Sequence, residues 1–99
     1  MSEFSPEDAK LVTLAKSARA RAAAEEGAAV RDDDGRSYTG VTVAQPSFKM
    51  SALQLAVANA VAAGASTLEA AVVVTASSDV DSAPVADLTP DAPLIVVAP

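Results

Sequence analysis

The sequence predicts an α/β domain in which a mixed sheet of about four strands is covered by helices on its faces, in the order α-β-β-α-β-β. Three observations carry this reading. The chain opens on a well-capped helix, it continues into a hairpin signal built on Asp34-Gly35, and it then sets a nearly all-apolar helix before a run of β-branched residues. The whole chain, 1–99, reads as a single domain, since its 99 residues leave little room for a second core.

Each element has its own physical cause. Ser5 is placed to accept from the Asp8 amide, Pro6 sits where no helical N–H is needed, and Glu7 and Asp8 meet the positive helix end. Leu11, Ala15, Ala18 and Ala22 then repeat on one face, which predicts a helix over 6–25 ended by Gly27. The stretch 28–30, the Asp-Gly turn and the strand-forming 37–43 make the hairpin. In 50–63 the only polar residues are Ser51, Gln54 and Asn59, so this helix is expected to be buried on several sides and capped by Gly64. The run 68–75 reads as a strand covered on both faces. Residues 76–91 read as a flexible Ser/Asp/Pro loop with one helical turn at 85–88, and 94–97 as the last strand, its direction left open.

Composition narrows the function. The apolar residues include 24 alanines and 13 valines against seven leucines and one isoleucine, so at roughly 25 cal/mol per Å² the core is thin. Pooling surface with another copy is attractive, and a homo-oligomer, dimer or tetramer, through helix 50–63 is expected, with Ala56, Ala60 and Ala63 permitting close approach. There is no cysteine and no histidine, which removes disulfides, thiol nucleophiles, imidazole bases and sulfur or nitrogen zinc ligands; no cofactor is expected. The net charge is −6, no Lys or Arg follows Lys49, and only three residues are aromatic, which excludes nucleic acid as a partner. No apolar run is long enough for a membrane span and no leader pattern is seen, so a cytoplasmic protein is expected.

The stretches Gly27-Ala28-Ala29-Val30, Asp34 to Gly40, and Ser51-Ala52-Leu53-Gln54-Leu55-Ala56-Val57 with Ala60, Val61 and Gly64 resemble the cytidine deaminase family: its first strand, its turn and second strand, and its central helix. The resemblance covers about 11–74 and implies that family's three-layer fold. It also implies where the family's chemistry would sit. A zinc-binding Cys or His at the helix start falls on Ser51 and the proton-shuttling Glu two residues later falls on Leu53; sliding by two places puts Leu53 and Leu55 there instead. The family's Pro-Cys-x-x-Cys falls within 77–88, which has no cysteine, and its ribose-gripping Asn-x-Glu falls on Thr42-Val43-Ala44. Its aromatic segment over the base falls on 23–26. The resemblance therefore points to a degenerate member with no catalytic and no metal-binding residues: a catalytically inactive structural or interaction protein with a copy of itself or an unknown protein as partner. Two alternatives stand beside it, a non-catalytic nucleoside or small-metabolite binding module, and a working zinc-dependent cytidine deaminase, for which the ligands are missing.

Other candidates read as structural. Asp32-Asp33-Asp34 lacks the further oxygen ligands of a cation loop and reads as a solvated turn; Asp79, Asp81, Asp87 and Asp91 read as a charged linker. Ser51 reads as a helix cap, Gln54 and Asn59 as partners of main chain or of a subunit interface, and Phe48 and Met50 as filling the vacated pocket.

Overall fold

Helix α1, Pro6–Ala22, begins as its sequence dictates, with the Ser5 hydroxyl accepting from the Asp8 amide at 3.1 Å. The computed structural model describes residues 4–99; residues 1–3 of the expected domain lie outside the described residues. α1 stops earlier than the sequence predicts. Ala23 takes the left-handed conformation, φ 50°, and its amide returns to the Ala20 carbonyl, so an alanine and not Gly27 closes the helix.

Gly27 instead opens β1, Gly27–Asp32, where α1 lies so close that a Cβ would collide with the Ala15 carbonyl oxygen. The hairpin returns as β2, Ser37–Val41, with Arg31 opposite Ser37 and Gly27 opposite Val41. The second strand ends at Val41, short of the expected Val43, because the chain leaves the sheet there: Val43–Ala44 (β3) pairs with Lys49–Met50 (β4) in a separate ladder. Helix α2, Ala52–Ala62, crosses β2 at Gly40, where a Cβ would run into the main chain of Ala52 and Ala56. Gly64, φ 99°, ends it, its amide on the Val61 carbonyl and the Ala65 amide on the Ala60 carbonyl.

β5, Leu68–Val74, pairs antiparallel with β1 on one side and parallel with β6, Leu94–Val97, on the other, which settles the direction left open by the sequence. The sheet order is β2-β1-β5-β6, a mixed four-stranded sheet. Between β5 and β6 the chain forms α3, Ala83–Leu88, two residues longer at its start than the expected turn, with Val85 buried.

The strand pleat sorts the core into two layers. Leu11, Val12 and Ala15 of α1 pack on Ala29, Ala70, Val72 and Val74, while Ala52, Leu53, Ala56, Val57 and Ala60 of α2 pack with Val85 on Ala28, Val30, Ala71 and Val73. β5 is thus covered on both faces, as its β-branched run predicts. Ala56 and Ala60 face the sheet and are fully buried within this chain, and the close approach at Ala56 is to Gly40 and not to another subunit. The side of α2 away from the sheet, including Gln54, Ala58, Asn59, Val61 and Ala62, is exposed, so α2 is buried on one side only. Arg31 ties the other layer together, donating to Asp8 of α1 at 3.1 Å and to Glu69 of β5 at 2.9 Å.

Candidate functional site at the start of α2

The residue before β1, the last strand residues of β5, the start of α2 and the segment after β5 meet at one end of the sheet. They enclose a cleft of about 230 Å³ lined by Glu26, Ser51, Leu53, Val73, Asp79, Val80 and Asp81. Ser51 and Leu53 are the positions at which the sequence resemblance puts a metal ligand and a proton shuttle, and both border this cleft. Leu55, the alternative, does not line it; it faces a separate depression beside Thr39 and Val41.

The start of α2 is chemically occupied. The Ser51 hydroxyl accepts from the Gln54 amide at 3.0 Å, and the Gln54 side-chain oxygen accepts from the Ser51 amide at 2.8 Å, a reciprocal cap that satisfies two helix-end donors. The expectation that Gln54 serves main chain is met in this way, and Asn59 serves it too, donating to the Thr39 carbonyl at 2.8 Å. Leu53 is 2% exposed and belongs to the core between α2 and the sheet.

From Glu26 a polar chain leads out of the cleft into a neighbouring depression beside Thr75 and Ser77. Thr75, itself buried, donates to the Glu26 carboxylate at 2.8 Å and accepts from the Ser77 amide at 3.0 Å. The Glu26 amide donates to the Thr42 hydroxyl at 2.9 Å, and the Thr42 amide to the Glu26 carbonyl at 3.2 Å. Thr42 therefore braces the start of β1, and Val43 and Ala44 go into the β3–β4 ladder, so the three positions aligned with a ribose grip do not enter the cleft. Further on, Asp79 donates its amide to the Ser77 hydroxyl at 3.1 Å, and Asp81 accepts from the Ala83 amide at 2.9 Å at the start of α3.

Two expected residues lie elsewhere. Phe48, 55% exposed, and Met50, half-buried, do not line the cleft: Phe48 sits just before β4, its carbonyl accepting from the Gln45 amide, and Met50 lies in the short outer ladder opposite Val43. Glu26, a lining residue, lies in the stretch 23–26 that the resemblance puts over the base, but sequence reading assigns it no role of its own. The pair Glu25-Glu26 looks like the end of a helix, and only the early stop of α1 puts Glu26 at the sheet.

The aspartates divide. Asp33 and Asp34 are exposed, as a solvated turn requires, but Asp32 is 3% exposed and organises the turn from inside. It accepts from the Asp34 amide at 3.0 Å, the Arg36 amide at 2.9 Å and the Tyr38 hydroxyl at 3.0 Å. Burial pushes its carboxyl up, but the bonds from Arg36, Tyr38 and Asp34 and the charge of Arg36 outweigh burial and hold it below the usual aspartate range. Burial, and donation to Asp32, push the Tyr38 hydroxyl up in turn.

A zinc ion does not fit the donors present at the cleft. An engaged cap hydroxyl, a buried leucine and the separate carboxylates of Glu26, Asp79 and Asp81 offer no sulfur or nitrogen ligand, and no group of three or more His, Cys, Asp or Glu among the described residues is placed to hold a metal.

A sequence model of cytidine deaminase-like proteins matches residues 4–99. The chain belongs to the cytidine deaminase-like family. Solved structures agree in fold. A mutant cytidine deaminase from Mycobacterium tuberculosis superposes at TM-score 0.73 with 23% identity, covering 92% of this chain and 84% of that one. Cytidine deaminase from Burkholderia pseudomallei gives 0.67 with 21% identity, covering 93% and 99%. The Mycobacterium leprae cytidine deaminase gives 0.52 with 32% identity over 64% of this chain and 61% of its own. The comparison with curated proteins found no match. Among the described residues no helix of this cytidine deaminase-like domain is long and apolar enough to cross a membrane.

Proposed function

We propose that this cytidine deaminase-like domain does not deaminate cytidine and acts as a structural or interaction protein in the cytoplasm, assembled with copies of itself through the outward side of α2. The observation that carries the reading is the start of α2, where Ser51 is a satisfied helix cap and Leu53 is core. Neither side chain there can bind zinc tightly or carry a proton, so the family's hydrolytic chemistry has no agents at these two positions. The assembly reading is supported by Val61, 51% exposed on the outward side of α2, by exposed Ala58 and Ala62 beside it, and by a core poor in large side chains.

A binding module for a nucleoside or another small metabolite is the second reading, supported by the cleft bordered by Glu26, Asp79 and Asp81. Its volume of about 230 Å³ weighs against it, since small-molecule sites usually enclose about 300–1,000 Å³. The donor set at the cleft weighs against the third, the activity named for the solved neighbours.

One sample tests the proposal. Chain incubated with zinc and then dialysed should hold far less than one equivalent of metal, and light scattering should give more than the monomer mass, falling to it for Val61→Glu. One retained equivalent of zinc would overturn the non-catalytic reading, and a monomer at hundreds of micromolar would overturn the assembly.

A further inference from the structure

The two edges of the main sheet are finished differently. In β2 the bonds from the Asp32 amide to the Arg36 carbonyl and from the Thr42 amide to the Glu26 carbonyl show that even-numbered residues face β1. The Thr39 carbonyl therefore points outward, and Asn59 of α2 donates to it, so one outward acceptor in the middle of that edge is taken from within the chain. In β6 the Pro93 and Val97 carbonyls accept from Ala71 and Thr75 of β5 at 3.0 and 2.9 Å. Alternation then turns the N–H and C=O groups of Leu94 and Val96 to the free edge, where none of the described residues bonds to them.

The open edge has a shaped and charged surround. A groove of about 390 Å³ runs between α3 and β6, lined by Val80, Val85, Pro90, Ala92, Leu94 and Val96, with Val96 49% exposed. Asp79, Asp81, Asp87 and Asp91 are exposed and alternate in sequence with these lining residues, and no Lys or Arg follows Lys49 to neutralise them. Pro93 and Pro99 bracket the strand and lie on its β5-facing side by the same alternation, so they limit the length of an added strand without blocking the outer donors.

We propose that the β6 edge and its groove dock an extended polypeptide segment bearing lysine or arginine, which adds as a fifth strand with its apolar side chains in the groove and its cations on the acidic rim. Main-chain pairing supplies the register and the groove and rim supply the selectivity. A second copy of this chain is the poorer occupant, because pairing two β6 edges brings two sets of the same four aspartates together. The inference rests on the reading of the chain as an interaction protein and names the partner's chemistry; it uses a different surface from the outward side of α2.

The test is a titration of the isotopically labelled full chain, followed amide by amide, with a blocked heptapeptide alternating lysine and valine and with its glutamate-for-lysine counterpart. The Leu94 and Val96 amides should shift and become protected, more than those of Ile95 and Val97. The lysine peptide should bind at least about tenfold more tightly than the glutamate peptide at low salt, and the gap should narrow as salt is added. Val96→Pro removes an outward N–H and should abolish binding, and the exposed pair Asp87→Lys and Asp91→Lys should narrow or invert the peptide preference, which keeps the test decisive if the proline variant does not fold. Equal binding of both peptides, shifts confined to α1 or α2, or protection of Leu94 and Val96 in the free chain that grows with its concentration would each overturn the proposal. Retained zinc or uridine formation would sink the non-catalytic reading and leave these peptide results as they stand.

Discussion

Two carboxylates mark the ends of β1: Glu26 stands one residue before it and Asp32 closes it. Asp32 is surrounded by donors, two amides and a phenol, and the chain folds over it so completely that the hairpin turn is its ligand. Glu26 takes one hydroxyl, from Thr75, and remains half-exposed on the wall of a cleft. The more deeply buried acid is thus the structural one, while the acid at the cleft shares it with a leucine and a satisfied helix cap. Depth of burial alone does not find a site; what matters is whether the neighbouring groups leave a ligand anything to do.

The largest expected effect breaks this contrast by forcing a carboxylate into the cleft end. Leu53→Glu should destabilise the fold by several kcal/mol, on the order of 3–5, because the charge enters a closed apolar layer without a partner. It should create no deaminase activity, since one proton carrier does not supply a metal. Ala60→Glu should cost as much for the same reason, within the monomer, and thermal melts of both variants against wild type check the pair. A fully stable Leu53→Glu protein would show that the cleft is wetter and looser than the packing of Leu53 against α2 and the sheet implies.

At the other end, Asp32→Ala strips the acceptor from the Asp34 and Arg36 amides and the Tyr38 hydroxyl, and should lower the melting temperature by less than Leu53→Glu but clearly more than Asp33→Asn, which should be nearly silent. The Asp32 contribution has a pH signature. The native carboxyl titrates below the unfolded one, so its stabilisation is present above the ordinary aspartate range and is lost as pH falls through the native value. Acid unfolding of Asp32→Ala should therefore be shallower over that interval, as denaturant titrations across pH will show.

A smaller effect concerns mobility. Residues 76–91 are expected to exchange their amides faster than β5, apart from the α3 amides bonded within the helix, because Val85 is the only buried residue in this Ser/Asp/Pro-rich stretch. Uniform protection across 68–91 would remove the flexible-loop reading.

The start of α1, the Asp-Gly hairpin, the capped start of α2 and the doubly covered β5 were all legible, since each depends on local chemistry: a cap hydroxyl, a turn glycine, an unbroken β-branched run. Residues whose role depends on distant partners were not. Gly27 looks like a helix terminator until α1 is seen to press on it; Ala56 and Ala60 look like an interface until Gly40 is seen beneath Ala56 and both are found in the core under α2. Asp32 is one of three consecutive aspartates, and only the fold of the turn decides which one points inward. The family was legible because strand, turn and helix keep their spacing along the chain. The Glu26–Thr75 contact joins residues 49 apart in sequence, and no local pattern announces it.

The most direct test of the central claim is the conversion of cytidine to uridine by the purified full chain in zinc-supplemented buffer, followed by chromatography over many hours beside a protein-free control. The packing of Leu53 and the capped Ser51 predict uridine at the level of the control. Uridine rising above it in proportion to protein concentration, and disappearing on chelation, would contradict the account.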